Sequence, residues 1–182
     1  MILPIRAYGD PVLRKKCKDI DSKYPELSSL IENMLETMDS SNGVGLAAPQ
    51  IGLPIRLFVI DSTHMYDNEK DGIRKVFINP QMIEEYDDEW TFEEGCLSIP
   101  HIRENVERNA TITLQYQDED FNTHEEEFDG MTARVIQHEY DHIEGVLFID
   151  HISALKRRLI KGKLNNIKKG NISVEYRMKF PR

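Results

Sequence analysis

Apolar residues along the chain follow two periods. Between residues 21 and 42, Leu27, Leu30, Ile31, Met34, Leu35 and Met38 recur at spacings of three and four. That spacing predicts a helix with one continuous apolar face, turned toward a core. Pro25 suits its first turn, Asp21 or Ser22 lies near its start, and Asn42-Gly43 ends it. Val135, Ile136, Tyr140 and Ile143 predict a second helix, stopped at Gly145. Residues 151–168 predict a third, with Ile152, Leu155, Leu159 and Leu164 inward. Its lysines and arginines read as a solvated face rather than a nucleic-acid site.

The rest of the pattern is of strand type. Residues 55–61 are an apolar run between Pro54 and Ser62 and read as a buried strand. Residues 75–79, closed by Pro80, and 82–90 are two further strands, the latter with a solvated acidic edge of Glu84, Glu85, Asp87, Asp88 and Glu89. Residues 106–117 alternate at Ile112, Leu114 and Tyr116, and Phe121-Asn122 turns the chain back into a strand over 123–128. Residues 1–20 look irregular, with a turn at Asp10-Pro11 and Val12-Leu13 as an anchor on the core. Residues 171–182 read as an edge strand or a loose end. Helices set apart from a run of antiparallel strands predict an α+β fold. The length suits one domain over residues 1–182, with about 166–182 a tail whose structure the pattern leaves open.

Composition narrows the class. The chain has 182 residues, 40% hydrophobic and 30% charged, as in a soluble globular protein. A net charge of −9 argues against nucleic acid as the main ligand, since phosphate binding needs a basic surface. No run approaches the ~20 apolar residues of a membrane span, and no secretory leader is visible. Two cysteines make no disulfide framework, so reduced thiols in the cytoplasm are expected.

The second helix carries the chemistry. Gln137-His138-Glu139-Tyr140-Asp141-His142 has the form H-E-x-x-H. Positions four apart stack on one helix face, so His138 and His142 can offer two imidazoles to one metal ion. Glu139, about 100° round the helix from His138, is placed to move a proton rather than to ligate. The metalloprotease pattern that extends this motif wants a third histidine where Phe148 stands, and the only glutamate after Gly145 is Glu175. The third ligand is therefore sought upstream, and Cys96 in Glu94-Gly95-Cys96-Leu97-Ser98 is the natural candidate. Three ligands leave one position open, the mark of a catalytic site. Two alternatives remain: an H-E-x-x-H endopeptidase, and a closed structural site in which Cys17 joins Cys96, His138 and His142. Gly43-Val44-Gly45-Leu46-Ala47-Ala48-Pro49-Gln50-Ile51-Gly52 is a thin-walled loop where backbone can approach a ligand; it lacks the Lys-Ser/Thr ending of a phosphate loop. Arg134, one turn before His138, is a candidate flank of a side-chain pocket; its alternative is a first-turn arginine in water.

Gly43 to Gln50, Glu94 to Ser98 and Gln137 to His142, in this order, closely resemble the peptide deformylase family. The resemblance implies a metal-dependent enzyme that removes the formyl group from the N-terminal methionine of new polypeptides and releases formate. It implies Cys96, His138 and His142 as ligands of one divalent ion, foremost Fe2+, with Zn2+, Ni2+ or Co2+ as substitutes. It makes Glu139 the general acid/base, and Gln50 with the Leu97 N–H the stabilisers of the oxyanion. Val44 and Gly45 would grip the peptide through backbone, and Arg103 would help bind it. The partners expected are N-formylmethionyl nascent chains met by a cytoplasmic monomer, with room for a transient ribosome contact and no membrane.

Overall fold

The computed structural model describes residues 1–181. The chain forms β1 (Ile5–Arg6), α1 (Leu27–Ser40), β2 (Gly45–Ala47), β3 (Leu57–Asp61), β4 (Arg74–Cys96), β5 (Ile99–Gln117), β6 (Thr123–Asp129), α2 (Gly130–Ile143), α3 (Ala154–Lys168) and β7 (Met178–Lys179). β2 to β6 make one antiparallel sheet in sequence order, while β1 and β7 pair in parallel. The expected α+β class is the class observed.

β3 shows why its run is apolar from Leu57 to Ile60. Phe58 and Ile60 join Phe77, Ile112, Leu114 and, from α2, Ala133, Val135, Ile136 and Ile143 in one buried cluster. Leu57 and Val59 point to the other face, into a second cluster with Ile31, Met34 and Met38 of α1. A strand covered by a helix on each face needs apolar residues at every position. A third cluster sets Ile99, Ile102 and Val106 of β5 against Leu147, Phe148, Ile149 and the α3 residues Ile160, Leu164 and Ile167. The anchor role expected of Val12-Leu13 is met, for both side chains are buried.

Four expectations need correction. The first helix starts at Leu27, not near residue 21. Asp21 is committed to its own turn: its carboxylate accepts from the Lys23 N–H at 2.9 Å and its carbonyl from Tyr24 at 3.0 Å. The two strands at 75–79 and 82–90 are one long strand, β4, whose pairing with β5 slips at Ile78/Gln81, Met82/Glu84 and Tyr86/Glu89. Pro80 sits in the first of these irregularities, where a missing N–H costs no ladder bond. β5 begins at Ile99 rather than 106, because the chain reverses over Leu97-Ser98 and pairs Cys96 with Ile99. On α3, Leu155 and Leu159 are exposed, at 65% and 74%, and the buried stripe is Ile160, Leu164 and Ile167. Ile152 and Leu164 are buried as expected, but Ile152 precedes the helix, whose N-cap is Ser153, so a stripe phased from it misplaces Leu155 and Leu159.

Candidate active site and metal centre

α2 packs on the sheet, chiefly against β2 and β5. It ends as its sequence predicts. Gly145 adopts φ 77, the Val146 N–H reaches the Asp141 carbonyl at 2.9 Å, and the Gly145 N–H reaches that of His142 at 3.2 Å. This closing pair of bonds needs a left-handed residue, and here only glycine is free of strain. In its last two turns His138 and His142 stand one turn apart on the same face.

The two histidines meet Cys96 where β4 turns into β5. Ligating atoms of Cys96, His138 and His142 lie within 4.8 Å of one another. Cys96 Sγ is 3.3 Å from His142 Nε2. His138 Nδ1 is taken by the Glu94 carboxylate at 2.8 Å, which leaves Nε2 for the centre. Burial pushes His138 down, but its contacts with Cys96 and Glu94 outweigh this and hold it well above the ordinary imidazole value. Burial, then the charge of His138, hold His142 well below it. Cys17 is not in this group. It is buried in the cluster beneath α2, with its N–H on the Ile143 carbonyl, so a closed four-ligand site does not form.

Glu139 is buried, and its Oε2 has no hydrogen-bond partner. Burial pushes its carboxyl up to about 7, against the pull of His138. Gly45 makes room for it: a Cβ there would come within 2.7 Å of the Glu139 Cδ. The loop anticipated at 43–52 is thus the edge strand β2 followed by a 3-10 turn at Ala48–Ile51, and its thinness serves this approach. That turn delivers Gln50. Its Oε1 accepts from the Ala47 N–H at 2.9 Å, so its amide nitrogen is directed at Ser98 Oγ (3.3 Å) and Cys96 Sγ (3.5 Å).

These residues border an open cleft of about 900 Å³, which Val44, Gly45, Gln50, Leu97, Arg103, His138 and Glu139 all line. Val44 is at the rim, 38% exposed. Arg103 lies opposite Gly95 and binds the Glu93 carbonyl at 3.0 Å. Arg134 contradicts the reading of a first-turn arginine in water. It is buried, donating to Glu94 (2.9 Å), the Val106 carbonyl (2.8 Å) and the Trp90 carbonyl (2.5 Å), with its guanidinium over the Trp90 ring. It also borders the cleft.

Sequence reasoning missed the support behind the ligands. Glu94 accepts from Arg108 (2.7 and 3.0 Å), Arg134 and His138 together, and Arg108 continues to Asp141 at 2.9 Å. Glu94 and Arg108 lie four positions out of register on paired strands, a relation with no period in the sequence. The only signal available was Glu94's place two residues before Cys96. The tail was missed too: Ser173, Val174, Glu175 and Tyr176 form one wall of the cleft.

A thiolate and two imidazoles beside a buried carboxylate that can hold a proton near neutral pH are the equipment of a metal-dependent hydrolase. Comparison with known proteins narrows that class. The profile of the polypeptide deformylase family matches residues 2–158. The peptide deformylase of Christiangramia forsetii is 60% identical over 190 residues, covering 100% of this chain and 97% of that protein. That of Cytophaga hutchinsonii is 58% identical over 182 residues, covering 100% and 98%. Among solved structures, Thermotoga maritima peptide deformylase superposes with a TM-score of 0.76 at 44% identity, covering 84% of this chain and 99% of that one. A Legionella pneumophila peptide deformylase gives 0.82 at 37% identity, covering 94% and 98%. The chain belongs to the polypeptide deformylase family. Its activity is the metal-dependent hydrolysis of the N-formyl group of newly made polypeptides.

Proposed function

We propose that Cys96, His138 and His142 hold one Fe2+ and that Glu139, Gln50 and Leu97 perform deformylation around it. The observation that carries this reading is the convergence of three ligand atoms within 4.8 Å next to the unpartnered Glu139 carboxylate. A donor set of one sulfur and two nitrogens, one of them fixed by Glu94, fits a divalent transition metal, and Zn2+, Ni2+ or Co2+ would also be accepted. When bound, the ion supplies Lewis acidity, making hydroxide available from water near neutral pH.

The side chains do the rest. The Gln50 amide and the Leu97 N–H face the charge that develops on the formyl oxygen, where fixed neutral donors act without binding hydroxide themselves. Glu139, with its carboxyl near 7, takes the proton of the attacking water and returns it to the leaving amine. Cleavage of the C–N bond then leaves formate and a free methionyl amine. The Val44 carbonyl is held by the Asp61 N–H at 2.8 Å, but β2 is an edge strand, so Gly45 and the Val44 N–H can offer backbone to an extended peptide in the cleft, with Arg103 further along it.

The same reading takes residues 1–182 as one domain that works as a cytoplasmic monomer and meets nascent chains in transient contact with the ribosome. No helix among the described residues is long and apolar enough to cross a membrane. The test is formate release from a formyl-Met peptide by anaerobically prepared protein, with metal analysis of the same sample. Glu139→Ala should keep its metal and lose turnover by about 10²–10⁴-fold. Full turnover in that variant would end the assignment. Reloading stripped protein with each of the four ions tests the choice of iron.

A further inference from the structure

The turn that carries Cys96 and Leu97 is held from a part of the chain that lies beyond the matched family profile, which ends at residue 158. After α3 the backbone reverses at Gly170, with φ 74, and runs along the cleft to pair Met178 with Ile5. Two fixed points bracket this run. The Ser173 carbonyl is 2.8 Å from His101 Nε2, and the Ile5 N–H donates to the Arg177 carbonyl at 2.9 Å. Between them the Tyr176 hydroxyl donates to the Leu97 carbonyl at 2.7 Å. Its ring packs with Leu97 against the α1 cluster.

The Leu97-Ser98 turn has two other tethers. The Tyr8 N–H binds the Ser98 carbonyl at 2.8 Å, and the Gln50 amide binds Ser98 Oγ at 3.3 Å. Both act on Ser98. The bond from Tyr176 acts on Leu97 itself. The β4–β5 ladder is irregular at Gly95/Cys96, immediately before the turn, so strand pairing constrains this segment less than its neighbours.

We propose that Tyr176 is a positioning residue for deformylation: its hydroxyl, bonded to the Leu97 carbonyl, holds the Leu97 peptide groups in place beside the formyl oxygen. This rests on the reading of the Leu97 N–H as an oxyanion donor. A donor preorganised for the transition state contributes to kcat, while binding of the rest of the peptide sets KM. A tether serving stability alone would leave kcat unchanged in the folded, metallated enzyme.

The experiment compares metal-loaded wild type, Tyr176→Phe and Gln50→Ala on one formyl-Met peptide, with metal content and melting temperature measured on each. Phe keeps the ring and removes only the hydroxyl. Tyr176→Phe should lose about tenfold in kcat with KM within twofold and metal unchanged, because a small misplacement of a transition-state donor is felt in turnover. Gln50→Ala should lose about 10²–10³-fold, as expected when one oxyanion donor is removed. If Gln50→Ala is impaired and Tyr176→Phe is not, the positioning role falls and the oxyanion reading stands. If neither is impaired, the oxyanion reading falls and takes the proposal with it. A kcat loss in Tyr176→Phe that follows loss of metal also overturns the proposal, since the tail would then act through the ligands.

Discussion

Gly45 and Glu139 show how far a single residue can bind sequence to chemistry. Gly45 has an ordinary strand backbone, so its lack of a side chain serves space rather than conformation. A Cβ would lie 2.7 Å from the Glu139 Cδ and 2.8 Å from its Cγ. Gly45→Ala should therefore displace the proton carrier, lowering kcat by about 10²-fold or more, while overpacking costs about 1–3 kcal/mol of stability. Steady-state kinetics beside a melting curve would check this, and wild-type kcat in the variant would refute it. The two cysteines separate in the same local way. Burial pushes the Cys17 thiol up to about 11, so at pH 7.5 roughly one molecule in several thousand carries that thiolate. Protein stripped of metal should take up one equivalent of iodoacetamide, at Cys96, and reloading with metal should slow even that. Equal labelling of Cys17 and Cys96 would contradict the burial of Cys17. At this scale the sequence was informative about ligands and the proton carrier, because H-E-x-x-H on a helix and a cysteine in a short motif are themselves geometric statements. It was silent on the burial of Arg134, which depends on a strand 44 residues away.

Between elements, Glu94 is the joint. It sits on β4 and binds Arg108 of β5 and both Arg134 and His138 of α2, so one carboxylate ties the ligand helix to the two strands beneath it. Burial alone would push this carboxyl up. The hydrogen bonds from His138 and Arg108 and their charge outweigh it and hold the group well below the usual carboxylate range. A carboxylate so depressed stabilises the fold fully above its unfolded value, near pH 4.5, and that contribution is lost as pH falls toward its folded value. Glu94→Gln leaves Arg108 and Arg134 buried with less compensation, at a cost of about 3–5 kcal/mol at pH 7. The gap between variant and wild type should shrink in denaturant titrations carried below pH 4. A gap independent of pH would show that the cost is packing and not charge. Element types were largely legible, since the 3.6 and 2.0 periods are written in α1, α2 and β5. Element bounds were not. β4 reads as two strands because Pro80 interrupts the pattern, and only the bulge at the partner strand shows the chain continuing. The pattern phases α3 from Ile152, a residue of the preceding turn, and the basic residues all round that helix offer no second marker of its buried side.

Taken whole, the molecule is closed by its two ends, and this was the least legible feature. β1 and β7 are two residues each, too short to show any period, and a parallel pair between residues 5 and 178 has no local signature. Yet the pairing continues into a bond with the turn that carries the ligand cysteine. The Ala7 N–H binds the Lys179 carbonyl at 3.0 Å, and the next residue, Tyr8, holds Ser98 beside the ligand turn. Ile172, Met178 and Phe180 pack on the third cluster and Tyr176 on the second. All four are half-buried, so their removal should forfeit about 3–6 kcal/mol, a large share of the roughly 5–15 kcal/mol that holds a domain folded. A chain ending at Gly170 should therefore melt about 6–24 °C lower than the full chain. It should still bind metal while folded, because its ligands lie on β4 and α2 and their support runs through Glu94, Arg108 and Asp141. Differential scanning calorimetry with metal analysis at 20 °C separates the two effects. If the shortened chain melts with the full one, the end-to-end pair is an ornament of the fold. If it loses metal while still folded, the closure reaches the ligands directly, and the division between a supporting shell of charges and a covering tail would have to be redrawn.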